Sequence, residues 1–220
     1  MDNILGPQGW EKSAIEVFWG EIAPCDHILQ IYENDLQFNN TLQGFVTSGF
    51  ESGESVVIIA TTEHLKALNR NLRNQGYDLF SLTLQDQYIP LSAEETLAQF
   101  MINGWPDENL FYHLLTNLLL RARKKERRVR AFGEMVAVLW SQGLSGATVH
   151  LEHLWMRYCQ SEAFSLFCAY PKSGFTDDPN VSLSKICGCH SKLISNLNED
   201  SPDILVKKVN TTAGKMTANG

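Results

Sequence analysis

The chain has 220 residues, of which 44% are hydrophobic and 10% aromatic, and its formal net charge is −7. This apolar content can fill a core, so the composition excludes a chain that is disordered throughout. The acidic balance disfavours a general nucleic-acid scaffold, because binding of phosphates needs a positive field over the contact face.

Helix-like and strand-like segments alternate along the chain. In order, the predicted elements are an amphipathic helix at 9–20, a strand at 27–32, a helix at about 36–48, a strand at 55–60, a helix from Thr61 to Gly76, a weaker strand at 77–84, helices at 93–102 and about 107–126, a strand at 129–135 that runs into the apolar segment 136–140, a helix at 146–161, a strand at 164–170 and a C-terminal helix. The segment 56–60 is apolar at every position, as in a parallel strand that helices cover on both faces. The predicted fold class is α/β, with three layers and a mostly parallel sheet between two layers of helices.

Composition also predicts how the chain divides. A helical extension at 1–25 precedes an α/β domain at 26–175, and a C-terminal helix at 176–197 follows it. Polar residues dominate 198–220, so we expect that tail to be disordered. The apolar stripe of the C-terminal helix spans only two heptads, which is too short to form a dimer alone. The sequence leaves open whether the chain forms a homodimer.

Hydropathy and cysteine content set an expectation for the compartment. The longest apolar runs fall far short of the roughly 20 residues that cross a bilayer. Residues 1–7 lack both the cationic start and the apolar stretch of a secretory signal. The 5 cysteines form an odd set at irregular spacing, which favours reduced thiols. We therefore expect a cytoplasmic protein that makes no membrane contact.

Motifs for nucleotide chemistry are missing at the positions where they would be needed. A phosphate-binding loop would place glycines and a lysine after the first strand, but the sequence there continues with Tyr32, Glu33, Asn34 and Asp35. Two carboxylates at this point would repel a triphosphate. The fingerprints of dinucleotide-binding, serine-hydrolase and zinc-protease sites are also absent. We expect no catalytic residues, no cofactor and no enzymatic activity.

Cys187, Cys189 and His190 suggest a metal site, but their spacing argues against one. On the predicted helix, residues two positions apart diverge by about 200°, so only Cys187 and His190 could share a face. Completing a site would need groups from elsewhere in the chain, such as Cys25, His27 or Cys168. The sequence does not bring these groups together, and packing thiols are the prediction.

The segment 121–130 holds seven of the 18 basic residues. A solvated helix end is one interpretation, because cations there interact favourably with the helix dipole. Docking of an acidic partner and contact with nucleic acid are the alternatives. The candidate partner-binding residues are Arg121, Arg123, Lys124, Arg127 and Arg128.

A ligand crevice is predicted where the parallel strands end. Glu134 follows Gly133 at the carboxyl end of a predicted strand, which is where open parallel sheets bind ligands. A structural clamp is the alternative for Glu134 and for Glu152, through Arg130 or a histidine. His27 and Tyr32, at the two ends of the first strand, admit the same two interpretations. The side chains expected to line the crevice are Tyr32, Glu33, Thr61, Glu63, His64, Arg130 and Glu134.

Five segments, in this order, resemble a known family of sensory domains. They are residues 26–35, 56–64, 132–136, 151–155 and 164–171. The family is MEDS, named for methanogens, methylotrophs and the dichloromethane-responsive regulator. The resemblance implies a fold similar to RecA/KaiC-type ATPases without the phosphate-binding loop. It also implies that the domain senses small hydrocarbon-derived ligands, alone or joined to DNA-binding regions and histidine kinases.

These observations lead to one hypothesis and two alternatives. We expect a non-catalytic sensory protein that binds a small ligand or a regulatory partner at the carboxyl ends of its strands. The chain carries no recognisable helix-turn-helix or kinase core, so the output would pass through the C-terminal helix or to a histidine kinase or transcription regulator. The alternatives are a degenerate ATPase-like nucleotide binder or enzyme, and an adaptor that docks an acidic partner through 121–130.

Overall fold

The computed structural model describes residues 10–13, 19, 22–174, 184, 186–195 and 203–207. The strands and helices are β1 (Trp10–Ser13), β2 (His27–Tyr32), α1 (Asp35–Glu51), β3 (Ser55–Ala60), α2 (Thr62–Asn74), α3 (Leu79–Leu84), β4 (Tyr88–Ser92), α4 (Ala93–Leu97), β5 (Met101–Ile102), β6 (Trp105–Pro106), α5 (Glu108–Ala122), β7 (Val129–Gly133), α6 (Met135–Ser141), α7 (Ser145–Glu162), β8 (Ser165–Pro171), β9 (Lys192–Ser195) and β10 (Asp203–Lys207). Short 3-10 turns follow α5 at Lys124–Glu126 and β8 at Lys172–Gly174.

Within the described residues, the main sheet has 8 strands in the order β1-β10-β9-β2-β8-β7-β3-β4. The strands from β9 to β4 pair in parallel, and β10 and β1 add to the β9 edge in antiparallel orientation. Strands β5 and β6 form a separate small hairpin. The predicted α/β class with a mostly parallel sheet is confirmed.

Helices cover both faces of this sheet. Helices α1, α2 and α3 pack on one face, in a core that includes Phe38, Phe45 and Leu72. Helices α4 to α7 pack on the other face, around Phe111 and Trp155. Alternate residues of each central strand point into the two cores, so the strands are apolar on both sides. The predicted three layers are therefore present.

The structure shortens two predicted elements: the helix expected at 93–102 ends at Leu97, and the strand expected at 129–135 ends at Gly133. It corrects three others. The helix expected at 9–20 is wrong at Trp10–Ser13, which pairs as a strand with β10, and 14–18 lies outside the described residues. The strand expected at 77–84 is helix α3, and the next strand begins only at Tyr88. The alternation of apolar and polar residues at 77–84 predicts a strand with one buried face, but Phe80 and Leu84 are 78% and 76% exposed and do not face a core.

The third correction concerns the C-terminal region. The helix predicted at 176–197 is a helical turn at 186–188, and then Lys192–Ser195 forms a strand that pairs with β2. Apolar residues spaced by three and four fit a helix, but long-range pairing with a buried strand decides the outcome. The disorder predicted for 198–220 is wrong at Asp203–Lys207, and the rest of that tail lies outside the described residues.

Of the described helices, none combines the length and the apolar character needed to span a bilayer.

A buried ion pair lies at the amino edge of the sheet. Arg130, near the start of β7, is 2% exposed and pairs with Glu54, which precedes β3 and is 5% exposed. The Arg130 guanidinium also donates from Nη1 to the Phe45 carbonyl, at 2.8 Å. Helix α1 passes so close that a Cβ on Gly49 would lie 2.8 Å from Arg130 Cδ. This edge is fixed by one buried cation and the residues around it.

Replacing Arg130 by methionine tests this edge. The Arg130→Met change leaves Glu54 buried without its main partner, so the free energy of unfolding should fall by about 3–5 kcal/mol. Urea denaturation measures it. The control is Arg157→Met, which removes a half-exposed pair with Glu108 and should cost less than about 1 kcal/mol. Equal losses in the two variants would contradict the buried role of Arg130.

Candidate functional site

A buried carboxylate joins two strands at the carboxyl edge of the sheet. Glu134 directly follows β7, is 6% exposed, and donates its backbone N–H to the Ile59 carbonyl of β3 at 2.8 Å. Its Oε2 accepts from the Thr61 N–H at 2.8 Å, and its Oε1 lies 2.6 Å from His64 Nδ1. One side chain therefore connects the ends of β3 and β7 to the first turn of α2.

The chain topology opens the sheet edge at this point. After β3 the chain enters α2, whose Leu68 and Leu72 belong to one core. After β7 it enters α6, whose Met135 and Val136 belong to the core on the opposite face. Neighbouring strands that connect to opposite faces form a switch point, where parallel α/β folds place their ligands. Glu134 lies at this switch point.

Aromatic rings extend the site to β2. The His64 ring is 4.6 Å from the Phe38 ring, and the Phe38 ring stacks on Tyr32 at 4.8 Å between centroids. Tyr32 ends β2 and is buried. We call Tyr32, Phe38, Thr61, His64 and Glu134 the carboxyl-edge cluster.

Electrostatics set the protonation of this cluster. Burial acts to lower the pKa of His64, but the hydrogen bond and charge of Glu134, with Asp35 and Glu63, outweigh it and raise that pKa above its ordinary value. Burial, helped by the charges of Glu134 and Asp35, raises the pKa of Tyr32. The cluster therefore favours an imidazolium beside a carboxylate and a phenol that keeps its proton.

The structure brings together most of the predicted crevice residues, with one exception. Tyr32, Thr61, His64 and Glu134 lie together, and Glu33 and Glu63 lie exposed at the same edge. The assignment of Arg130 to the crevice is wrong. It lies near the amino end of β7, at the opposite edge of the sheet, where Glu54 holds it.

The basic segment lies at the amino edge, and its candidate residues have partners within the chain. Arg121 and Lys124 flank Asp86, whose pKa they hold below its usual range through hydrogen bonds, Lys124 having the larger effect. The other contacts are Arg123 with Glu162 at 2.9 Å, Arg127 with the Gln85 carbonyl at 2.8 Å, and Arg128 with Glu54 at 3.6 Å. These contacts neutralise part of the positive charge that would attract an acidic partner.

A second polar cluster is enclosed on the other face of the sheet. His27 begins β2, Cys168 lies in β8, His190 precedes β9 and Glu152 lies in α7, and all four side chains are buried. His27 Nε2 is 3.3 Å from Cys168 Sγ and 3.6 Å from Glu152 Oε2. His190 Nε2 is also 3.6 Å from Glu152 Oε2. We call these four residues the buried quartet.

Neighbouring groups fix the orientation of the quartet. His27 Nδ1 lies 2.9 Å from the Cys189 carbonyl, and His190 Nδ1 lies 2.7 Å from the Ile186 carbonyl. A carbonyl only accepts, so each Nδ1 carries the proton and each Nε2 faces the quartet without one when the ring is neutral. The Tyr170 hydroxyl donates to Glu152 Oε1 at 2.5 Å, whereas Glu152 Oε2 accepts no hydrogen bond from the described residues.

Burial makes charge expensive in the quartet. It raises the pKa of Glu152 to about 8, although the Tyr170 hydrogen bond acts in the opposite direction. It also raises the pKa of Cys168 well above, and lowers that of His27 well below, their ordinary values, with Glu152 and His190 adding to these two shifts. Each of these three shifts favours the neutral form of its group.

Both clusters lie within residues 26–191, and this stretch matches the family model of the MEthanogen/methylotroph, DcmR Sensory domain. The chain belongs to the MEDS family. The resemblance in the sequence is thus confirmed, and the match continues past 175 to include the stretch from Cys187 to His190. MEDS is a sensory domain, so the protein has a sensory or signalling role. No curated protein matches the chain.

Sequence reasoning missed two parts of this MEDS domain. Phe38 lies one turn into α1, and its sequence context does not mark it as a site residue, although an aromatic residue at the start of a helix after a strand is a signal for packing at that edge. The sequence pattern does not predict the quartet either. His190 was expected to share a helix face with Cys187, but it lies beyond the helical turn and meets residues from β2, β8 and α7.

The His64–Glu134 pair predicts a pH dependence that NMR can measure. The pKa of His64 should lie above about 6.5, the value of an unperturbed imidazole, and should fall in Glu134→Gln. His153, on exposed α7 surface, serves as the internal reference.

The sign for stability follows from linkage. Because the folded state raises the pKa of His64, the stabilisation by this pair is full below about pH 6.5 and is lost as the pH rises through the folded value. Glu134→Gln should therefore destabilise the MEDS domain more at about pH 6 than at about pH 9. An unchanged His64 titration in the variant would contradict the assignment.

Proposed function

We propose that this MEDS domain is a non-catalytic sensor that binds a small oxygen-bearing organic molecule at the carboxyl-edge cluster. The observation that carries the proposal is the Glu134 side chain, which joins the ends of β3 and β7 to α2 at a topological switch point. The ligand class fits the hydrocarbon-derived molecules that the family resemblance implies.

The chemistry of the cluster selects the ligand class. Glu134 occupies His64 Nδ1, whereas His64 Nε2 and the Tyr32 hydroxyl make no hydrogen bond within the described part of the chain. Both can donate to a ligand oxygen, because the imidazolium and the phenol keep their protons. Phe38 supplies an apolar ring between them. A short alcohol, aldehyde or carboxylate matches two donors beside an apolar surface.

Ligand binding at the carboxyl-edge cluster can alter the structure of neighbouring elements. A ligand that competes for His64 or Glu134 changes the contacts of Glu134 with the Thr61 N–H, and Thr61 caps α2. The same glutamate precedes α6, and its carbonyl accepts from the N–H groups of Ala137 and Val138 in the first turn of that helix. Ligand binding would therefore shift the start of two helices on opposite faces, which is the differential contact that a sensor needs.

The β2–α1 connection supports a role without nucleotide turnover. Only Glu33 and Asn34 separate β2 from α1. The Asn34 side chain accepts from the Gln37 N–H at 3.0 Å, and Asp35 places a carboxylate in the first turn. A phosphate would have to displace the cap and approach that carboxylate. The nucleotide-binding alternative lacks a comparable supporting observation.

The signal would pass to a regulatory protein such as a histidine kinase or transcription regulator, and we place the sensor in the cytoplasm. Cys25, Cys159 and Cys168 are thiols in the structure, which suits a reducing compartment. The internal ion pairs of Arg121, Arg123 and Lys124 weaken the alternative of an adaptor that docks through the basic segment.

Thermal shift with a defined panel tests the sensor. The probes are methanol, ethanol, formaldehyde, formate, acetate and dichloromethane, each added to the wild-type protein. A ligand at about 100 times its Kd contributes about 2.7 kcal/mol, which raises Tm by several degrees in a domain of this size. One chemical class should raise Tm, and Glu134→Gln should remove that shift.

The matched control is Glu95→Gln, which changes an exposed carboxylate in α4 outside the carboxyl-edge cluster and should keep the shift. A panel that leaves Tm unchanged, or a shift that survives in Glu134→Gln, would overturn the assignment. A Tm rise with ATP and magnesium that the organic probes do not produce would support the nucleotide-binding alternative instead.

A further inference from the structure

Three distances within the buried quartet match those between the ligands of one tetrahedral metal ion. Zinc binds imidazole nitrogen at about 2.0–2.1 Å, carboxylate oxygen at about 2.0–2.2 Å and thiolate sulfur at about 2.3 Å, so adjacent ligand atoms lie about 3.3–3.8 Å apart. His27 Nε2 lies 3.3 Å from Cys168 Sγ, and Glu152 Oε2 lies 3.6 Å from the Nε2 atoms of both histidines. All four candidate ligand atoms lie within 4.8 Å of one another.

Hydrogen bonding alone does not account for this arrangement. It explains the approach of Cys168 to His27, since a thiol can donate to an imidazole nitrogen. It does not explain the position of Glu152 Oε2. The Glu152 side chain is 0% exposed, and its Oε2 accepts no hydrogen bond from the described residues. This oxygen also lies beyond hydrogen-bond distance of both histidines. An acceptor that is buried and aimed at three other ligand-type atoms has the position of a metal ligand.

The surrounding groups are those that support metal ligands. The two backbone carbonyls hold Nδ1–H of His27 and of His190, which leaves each Nε2 lone pair directed into the quartet. The Tyr170 hydroxyl holds one oxygen of Glu152 and leaves the other. Metal-bound histidines and carboxylates usually have such partners, which fix the tautomer and the ring orientation.

Charge balance selects a divalent ion. A Zn²⁺ bound by one thiolate, one carboxylate and two neutral imidazoles has no net charge, which suits a buried site. Magnesium and calcium prefer oxygen ligands, whereas a mixed set of nitrogen, sulfur and one carboxylate suits zinc. Four protein ligands leave no position for substrate, as in structural zinc sites.

We propose that His27 Nε2, Cys168 Sγ, Glu152 Oε2 and His190 Nε2 bind one zinc ion that fastens the C-terminal strands to the sheet. His190 lies two residues before β9, and β9 pairs with β10, which pairs with β1. The ion would link this extension to β2, β8 and α7. The site is separate from the proposed sensing function, because Cys168 belongs to one core whereas Tyr32 and Phe38 belong to the other.

Metal content of the purified protein is the first test. Protein purified without added metal and after removal of any affinity tag should contain about one zinc per chain by elemental analysis. Cys168→Ser should lose it. Cys159→Ser, which changes another buried thiol that lies outside the quartet, should keep it. Wild-type protein that carries no transition metal and takes up neither zinc nor cobalt after thiol reduction would overturn the proposal.

Cobalt substitution reports the ligands themselves and begins with folded wild-type protein. Co²⁺ in the quartet should give the intense visible absorption of tetrahedral coordination and a thiolate-to-cobalt charge-transfer band, and the latter should vanish in Cys168→Ser. Tyr170→Phe keeps all four ligands but removes the bond to Glu152, so zinc affinity should fall about 10–100-fold. A cobalt spectrum without a thiolate band would contradict the assigned ligands.

Hydrogen exchange tests the fastening of β9. Removal of the metal by a chelator should speed amide exchange in 186–195, while exchange in the first strand pair of the opposite edge, β3 and β4, should change little. If amide exchange in 186–195 is the same before and after chelation, with zinc shown to be removed, the metal does not hold the C-terminal strands.

Discussion

A carboxylate inside a parallel sheet that is covered on both faces needs compensation from the protein itself, because water does not reach it. Three glutamates meet this constraint here. Glu54, Glu134 and Glu152 are 5%, 6% and 0% exposed. They lie at the amino edge, at the carboxyl edge and between the sheet and α7, and much of the polar architecture is arranged around them.

The manner of compensation separates structure from function. Glu54 is held by a guanidinium that is itself buried, a pairing that stabilises an edge and leaves nothing to bind. Glu134 has a backbone N–H and a titratable imidazole as partners, at an edge where topology opens the sheet, so a ligand can alter them. Glu152 has one oxygen satisfied by Tyr170 and the other directed toward two imidazoles and a thiol. The Glu54 pair leaves no group available to a ligand, whereas the surroundings of Glu134 and Glu152 leave groups that a ligand or a metal ion can contact.

Local pattern predicted much of the central sheet and part of the site. The bounds of β2 and β3 are as predicted, since continuous apolar runs leave little choice of structure. The sequence predicts the position of Glu134, because a polar residue that directly follows a buried strand lies at the sheet edge. Arg130 was misplaced because its partner Glu54 comes from a distant turn. The quartet was beyond local pattern altogether, since His27 and Cys168 are 141 positions apart and meet only through strand pairing.

The central claim is that a metal ion compensates the buried Glu152, and an anomalous-difference map at the zinc absorption edge tests it most directly. Crystals of protein purified without added metal should give one strong peak, centred among the Nε2 atoms of His27 and His190, Sγ of Cys168 and Oε2 of Glu152. A map with no peak there, from crystals in which the Cys168 thiol donates a hydrogen bond to His27 Nε2, would contradict the account.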